Sequence, residues 1–184
     1  MRNLVGELGA QLRWARTAAV PAIPPASEIL VVGMGGSGIS GDYLAALAAP
    51  GGRRVAVAKG YRLPGWATAS RPLVLAVSYS GDTEETLAAA DAADAAALAV
   101  VTVSTGGRLA AWAEDRGHVH VPVPGGRQPR AALGHLFGTA VRIAAAAGVL
   151  AGADDALAEA ADVADLLAAG PGWSIAADLA AGLE

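Results

Sequence analysis

Five short runs of aliphatic, β-rich residues alternate along the chain with longer stretches in which apolar positions recur at helical spacing. The runs are Ile29 to Val32, Arg54 to Ala58, Pro72 to Val77, Leu98 to Val103 and Val119 to Val123. Ile29 to Val32, apolar throughout, predicts a strand buried on both faces, the signature of a parallel sheet. Between them the pattern predicts helices over 39–48, 83–96, 109–116 and 130–147, followed by 154–167 and 175–183. An N-terminal helix over 4–17, with Leu4, Leu8, Leu12 and Ala15 at helical spacing, is ended by Pro21, Pro24 and Pro25 and packs outside the sheet. Strands alternating with helices imply an α/β fold, a three-layer αβα sandwich whose five-stranded parallel sheet takes the flavodoxin-like order 2-1-3-4-5.

In that order strands one and three are neighbours, their outgoing helices leave on opposite faces, and ligands bind at the split. The two unusual loops of the chain follow those two strands. Gly33-Met34-Gly35-Gly36-Ser37-Gly38 lacks a Cβ at four positions, so its backbone can approach a bound anion and aim N–H groups at it, with a helix opening behind it near Ile39. Ser37 adds a hydroxyl. Ser78-Tyr79-Ser80-Gly81-Asp82-Thr83 brings three more hydroxyls, more than the capping of one helix needs. Neutral donors and two helix N-termini around one crevice suit a phosphate monoester. Asp82, Glu84 and Glu85 read as first-turn carboxylates that complement the helix dipole.

Composition narrows the partners. The hydrophobic content is 54%, drawn mostly from Ala, Val and Leu, and 184 residues suffice for one domain with a core of small aliphatic layers. Net charge is −4 and Lys59 is the single lysine, which argues against a nucleic-acid surface. No apolar run approaches the length of a membrane span and the first residues lack a signal-peptide pattern, so a cytoplasmic protein with a small-molecule substrate is the expectation. With no cysteine and three histidines out of ligand spacing, neither a metal nor another cofactor is called for. His118, His120 and His135 read as satisfied structural residues. Tyr61 and Trp66 either wall the pocket or pack over the sheet edge, and Lys59 either reaches the phosphate or ends in solvent.

Gly33, Gly35 and Gly38 also satisfy the dinucleotide pattern Gly-x-Gly-x-x-Gly. The end of strand two offers Lys59 and Arg62 in place of the acid that would read a ribose, so only an NADP-binding Rossmann-like domain stays open on that side.

Three segments in order, Gly33 to Asp42, Ser78 to Thr86 and Pro129 to Gly134, resemble the successive motifs of sugar isomerase (SIS) domains, and among these the bifunctional phosphoglucose/phosphomannose isomerase family. The resemblance covers about 28–150, leaving 1–27 as an N-terminal helix and Pro-rich linker and 151–184 as helices leading to a second subdomain. It implies that Gly35, Gly36, Ser37, Ser78, Ser80 and Thr83 hold a hexose 6-phosphate and that Arg130, opening the long helix, contacts the substrate. Asp82 stands where the family more often has Asn. It also implies aldose–ketose isomerisation between glucose or mannose 6-phosphate and fructose 6-phosphate. The family's base and ring-opening residues lie in a second SIS subdomain with no counterpart here, so the chain is expected to bind but to be incomplete for catalysis alone. A homodimer, or pairing with a second SIS subdomain, is the expected assembly. A non-catalytic phosphosugar-sensing module is the competing reading.

Overall fold

A computed structural model describes residues 6–170. Its five strands, β1 (Glu28–Val32), β2 (Arg54–Ala58), β3 (Leu73–Val77), β4 (Val100–Ser104) and β5 (Val119–Pro122), form one sheet in the order β2-β1-β3-β4-β5. Every pairing is parallel, and Val32 at the end of β1 lies opposite both Ala58 and Ala76. The central strands β1, β3 and β4 are buried along their whole length, as their unbroken apolar runs require.

Alternate side chains of each strand feed two separate cores. Ile29, Val31, Leu73 and Leu75 pack on one face against Leu44 of α2 (Gly35–Ala48), Leu136 and Ile143 of α6 (Leu133–Ala146) and Leu12 of α1 (Leu8–Thr17). Leu30, Val32 and Val74 pack on the other against Ala89, Ala90 and Ala93 of α4 (Glu84–Ala95) and Leu109 of α5 (Gly107–Asp115). Each fully buried Leu, Ile or Val contributes about 1.5–3 kcal/mol relative to exposure, so the two clusters account for the sandwich. A four-residue helix, α3 (Ala67–Ser70), and the last described helix, α7 (Ala153–Ala169), complete the chain. The helix α1 packs on α6 and α7, and a Cβ at Gly138 would lie 2.4 Å from that of Ala15, so α1 and α6 meet almost backbone to backbone.

The sheet, its order and the three layers agree with the sequence reading; the boundaries shift for identifiable reasons. Strand four begins at Val100 because Leu98 belongs to the end of α4: Ala97 takes a left-handed φ of 53°, its N–H reaches Asp94 O and that of Leu98 reaches Ala93 O, a Schellman ending. The first crossover helix starts at Gly35 instead of Ile39, so most of the glycine stretch is helical. Low helix propensity is overridden there because a Cβ at Gly38 would sit 2.7 Å from Gly33 O, where nothing larger fits. The long helix starts at Leu133, preceded by a 3-10 turn, Pro129–Ala131, that carries Arg130. The short α3 was not anticipated. Leu4 and the helix expected over 175–183 fall outside the described residues.

Candidate functional site

The helices α2 and α4 leave the carboxyl ends of the adjacent strands β1 and β3 and pack on opposite faces, which opens the crevice at the switch point. Neither helix has a side-chain cap. The first-turn N–H groups of α2, at Gly35, Gly36 and Ser37, therefore face the crevice without an internal acceptor from a capping side chain. Gly35 takes a φ of 51° with open space where a Cβ would be, a backbone that a ligand can approach.

Ser37 is buried, and its Oγ accepts the backbone N–H of Tyr79 at 3.2 Å, which ties the first loop to the second. Because that bond uses a lone pair, the Ser37 hydroxyl proton remains to donate. Ser78 is buried; its Oγ accepts the Gly81 N–H at 3.1 Å and shares a 2.8 Å bond with Thr83 Oγ1. The Thr83 hydroxyl is thus turned to Ser78 rather than over its own helix. Ser80 is exposed, and its Oγ accepts the Asp82 N–H at 3.2 Å, leaving its proton to donate. Asp82 does not cap α4 as expected. Its Oδ1 accepts the Arg108 N–H at 3.0 Å, and Arg108 Nη2 returns a bond to Asp82 O at 2.7 Å, which joins the loop to the start of α5 and sets a guanidinium beside the carboxylate.

The third segment closes on the first. The Cα of Arg130 lies 3.6 Å from the point a Cβ on Gly36 would occupy, and Arg130 is exposed, with no hydrogen bond or ion pair among the described residues. The structure thereby brings Gly36, Ser37 and Arg130 together, and Ser37 to the Ser78 loop. Lys59 lays its stem over Gly38 and ends on Asp42 Oδ2 at 2.6 Å, which settles its resting partner as a carboxylate. Trp66 lies under the Arg54 guanidinium, 3.8 Å from ring centre, at the edge strand, and Tyr61 is 57% exposed.

Two contributors were missed in the sequence. Tyr79, buried between two serines, also accepts the Thr105 N–H at its carbonyl, donates its hydroxyl to Pro124 O at 3.2 Å and accepts the Arg127 N–H at 3.0 Å. It fastens the first motif to the second, and both to the loop that leads into the third. A large aromatic inside a hydroxyl-rich loop was the available signal. The other is Gln11 of α1, 2% exposed, whose amide grips the segment around Arg130 and whose glutamine identity carries no motif.

The histidines stand apart from these groups. His118 Nε2 lies 2.9 Å from Asp94, whose carboxyl is held below its usual range by hydrogen bonds from Arg116 and His118. His120 pairs with Thr102 Oγ1, and burial lowers its pKa. His135, edge-on to Trp14, is lowered to about 4 by burial and then by Arg127. Among the described residues no group of three metal-ligating side chains occurs, and no helix is long and apolar enough to cross a membrane. A cleft of about 440 Å³, lined by Leu47, Pro50, Arg53, Val149 and Leu150 among others, lies at the opposite, amino end of the strands and offers no hydroxyl donors.

A donor-rich crevice at the switch point of a parallel sheet in this order defines a doubly wound α/β domain with a ligand site between β1 and β3. The fold is shared with tagatose-6-phosphate ketose/aldose isomerase from Escherichia coli, at a TM-score of 0.56 and 16% identity over 87% of this chain and 45% of that one. In sequence the chain is 37% identical over 133 residues to a bifunctional phosphoglucose/phosphomannose isomerase of Caldicellulosiruptor bescii, covering 72% of this chain and 39% of the relative. It is 34% identical over 125 residues to a D-glucosamine-6-phosphate 4-epimerase of Sulfolobus acidocaldarius, covering 67% of this chain and again 39% of the relative. No family model matches the chain. The chain matches bifunctional phosphoglucose/phosphomannose isomerases over the extent of one SIS subdomain, and its similarity fits the N-terminal one. It spans about two fifths of the length of the curated relatives it matches.

Proposed function

We propose that the domain binds the phosphate of a hexose 6-phosphate in the crevice between the ends of β1 and β3. The observation that carries this reading is the Ser37 to Tyr79 bond, 3.2 Å long, because it brings the amides of the first loop and the hydroxyls of the second to one centre. In the proposed complex the N–H groups of Gly35 and Gly36 and the Ser37 hydroxyl take one side of the phosphate. Ser80 and Thr83 take the other, and Ser78 holds Thr83 in place. Arg130 supplies the one full positive charge, bidentate to phosphate or to a sugar hydroxyl pair.

The relatives named above act, by their names, on phosphorylated sugars, which supports the ligand class. One is named for an isomerase and another for an epimerase at nearly the same identity, so similarity of this degree leaves the reaction to the site. Aldose–ketose isomerisation needs a base to carry a proton between C1 and C2 and an acid to open the ring. The carboxylates nearest the crevice, Asp82, Glu84 and Glu85, occupy a loop end and a first helical turn, with Asp82 committed to Arg108. In our reading a second SIS subdomain, from another copy or a partner chain, supplies the acid and base for exchanging glucose or mannose 6-phosphate with fructose 6-phosphate.

Calorimetric titration with fructose 6-phosphate and with fructose tests the binding reading. Saturable binding of the phosphate ester alone, lost on Ser80→Ala with Thr83→Ala, is expected. Equal binding of both sugars, or of neither, would overturn it. Normal turnover by the isolated chain in a coupled isomerase assay would overturn the need for a partner.

A further inference from the structure

We infer that Gln11 of the N-terminal helix is a positioning residue that sets Arg130 against the crevice, an inference that rests on Arg130 contacting the ligand as proposed above. Gln11 is 2% exposed and uses every polar atom of its amide. Its Nε2 donates to Ala131 O at 2.8 Å, the carbonyl next to Arg130. Its Oε1 accepts two backbone N–H groups, Gly134 at 3.0 Å and His135 at 3.3 Å, at the N-terminus of α6.

One side chain therefore spans the junction between the 3-10 turn of Arg130 and the helix behind it. At that junction Ala132 separates the two elements and belongs to neither. The fit allows no slack, because a Cβ on Gly134 would lie 2.6 Å from the Cβ of Gln11. The same helix end reaches the segment a second time through the ion pair of Glu7 with Arg127, and Arg127 in turn gives its N–H to Tyr79.

The consequence distinguishes the three helix N-termini around the site. Those of α2 and α4 carry no side-chain cap and are left to a ligand, whereas that of α6 is satisfied by Gln11 from within the protein. The helix α6 thus contributes a mount for Arg130, with the N–H groups of Gly134 and His135 taken by Gln11. A buried amide that donates to one side of this junction and accepts twice from the other holds its direction, since releasing either end leaves a buried polar group without a partner. The N-terminal helix, which lies outside the sheet and carries no crevice residue, acts on the ligand through this contact.

Two substitutions separate holding Arg130 from stabilising the fold. Gln11→Glu keeps an acceptor for the α6 N–H groups, where the helix dipole favours a carboxylate, but loses the donor to Ala131 O. Gln11→Leu loses both. Calorimetry with fructose 6-phosphate on the full chain, below the thermal midpoint of every variant, is expected to show Q11E binding about fivefold more weakly, the worth of one net hydrogen bond. The thermal midpoint of Q11E falls by the cost of one orphaned carbonyl, and that of Q11L falls by more, because the α6 N–H groups are orphaned too. In an Arg130→Ala background the Q11E effect disappears.

The same loss in both backgrounds, or parental affinity of Q11E where R130A binds weakly, would overturn the positioning role. Amide hydrogen exchange at Ala131 to His135 reads the clamp without ligand, and unchanged protection at Ala131 and Ala132 in both Q11E and Q11L would overturn it directly. Faster exchange there with R130A binding as the parent does would instead sink the assignment of Arg130 as a ligand contact and leave the clamp standing.

Discussion

Ser37 on the first turn of α2 and Tyr79 at the end of β3 are 42 positions apart, and a single 3.2 Å bond from the Tyr79 N–H to Ser37 Oγ joins them in a buried place. The bond has two functions that one mutation separates from the rest of the site. It satisfies a buried backbone donor, and it fixes the position of a hydroxyl whose own proton is left to donate.

Ser37→Ala is therefore expected to lower stability by about 1–2 kcal/mol, the cost of an orphaned buried N–H, and to weaken phosphate-ester binding about tenfold. Urea unfolding gives the first and calorimetry the second. Ser80→Ala removes an exposed hydroxyl bonded only to a local N–H, so it is expected to reduce binding with a stability change within about 0.5 kcal/mol. Equal stability losses for the two variants would contradict the division of labour.

Much of this arrangement was legible in the chain. The strands β1 and β3 show as aliphatic runs, and the alternation of strands and helices implies a doubly wound sheet whose common order places Ser37 and Ser78 at one crevice. What was not legible depends on tertiary contacts. The glycine stretch has low helix propensity and reads as loop, yet Gly35 to Gly38 open a helix whose close contact with Gly33 admits no side chain at Gly38. Asp82 reads as a cap for the helix that follows it, but a contact 26 residues away, to Arg108, takes its carboxylate. Gln11 lies 120 positions from Ala131, and no local pattern announces a glutamine that bonds across that distance.

The ending of α4 gives a prediction of opposite sign. Ala97 adopts φ 53° in a Schellman motif, a position where a Cβ meets the carbonyl and glycine is the ordinary choice. Ala97→Gly relieves that strain at the cost of extra freedom in the unfolded chain, and a net gain of about 0.5–1 kcal/mol is expected. The site is remote from the crevice, so fructose 6-phosphate affinity stays constant. A drop in the urea midpoint would show that the left-handed alanine is not strained.

His135 makes stability depend on pH in a window that can be stated in advance. Its ring is 5% exposed under α1, edge-on to Trp14, with Nδ1 unpartnered among the described residues. Burial, then the positive charge of Arg127 against the opposing pull of Glu7, depresses its pKa from 6.5 to about 4. A folded-state pKa below the unfolded value means that the unfolded chain binds the proton first. The neutral ring carries no penalty above pH 6.5, and stability falls as pH drops from there toward 4, by about 1.4 kcal/mol per unit at the steepest. Burial of His120 acts in the same direction, while the lowered carboxyl of Asp94 begins to matter only in more acidic solution. Replacing His135 by Phe removes its share, so the urea midpoint of that variant is expected to vary less between pH 6.5 and 4.5 than the parent's. Identical pH profiles for the two proteins would mean that the His135 ring takes up its proton without leaving its place beneath α1.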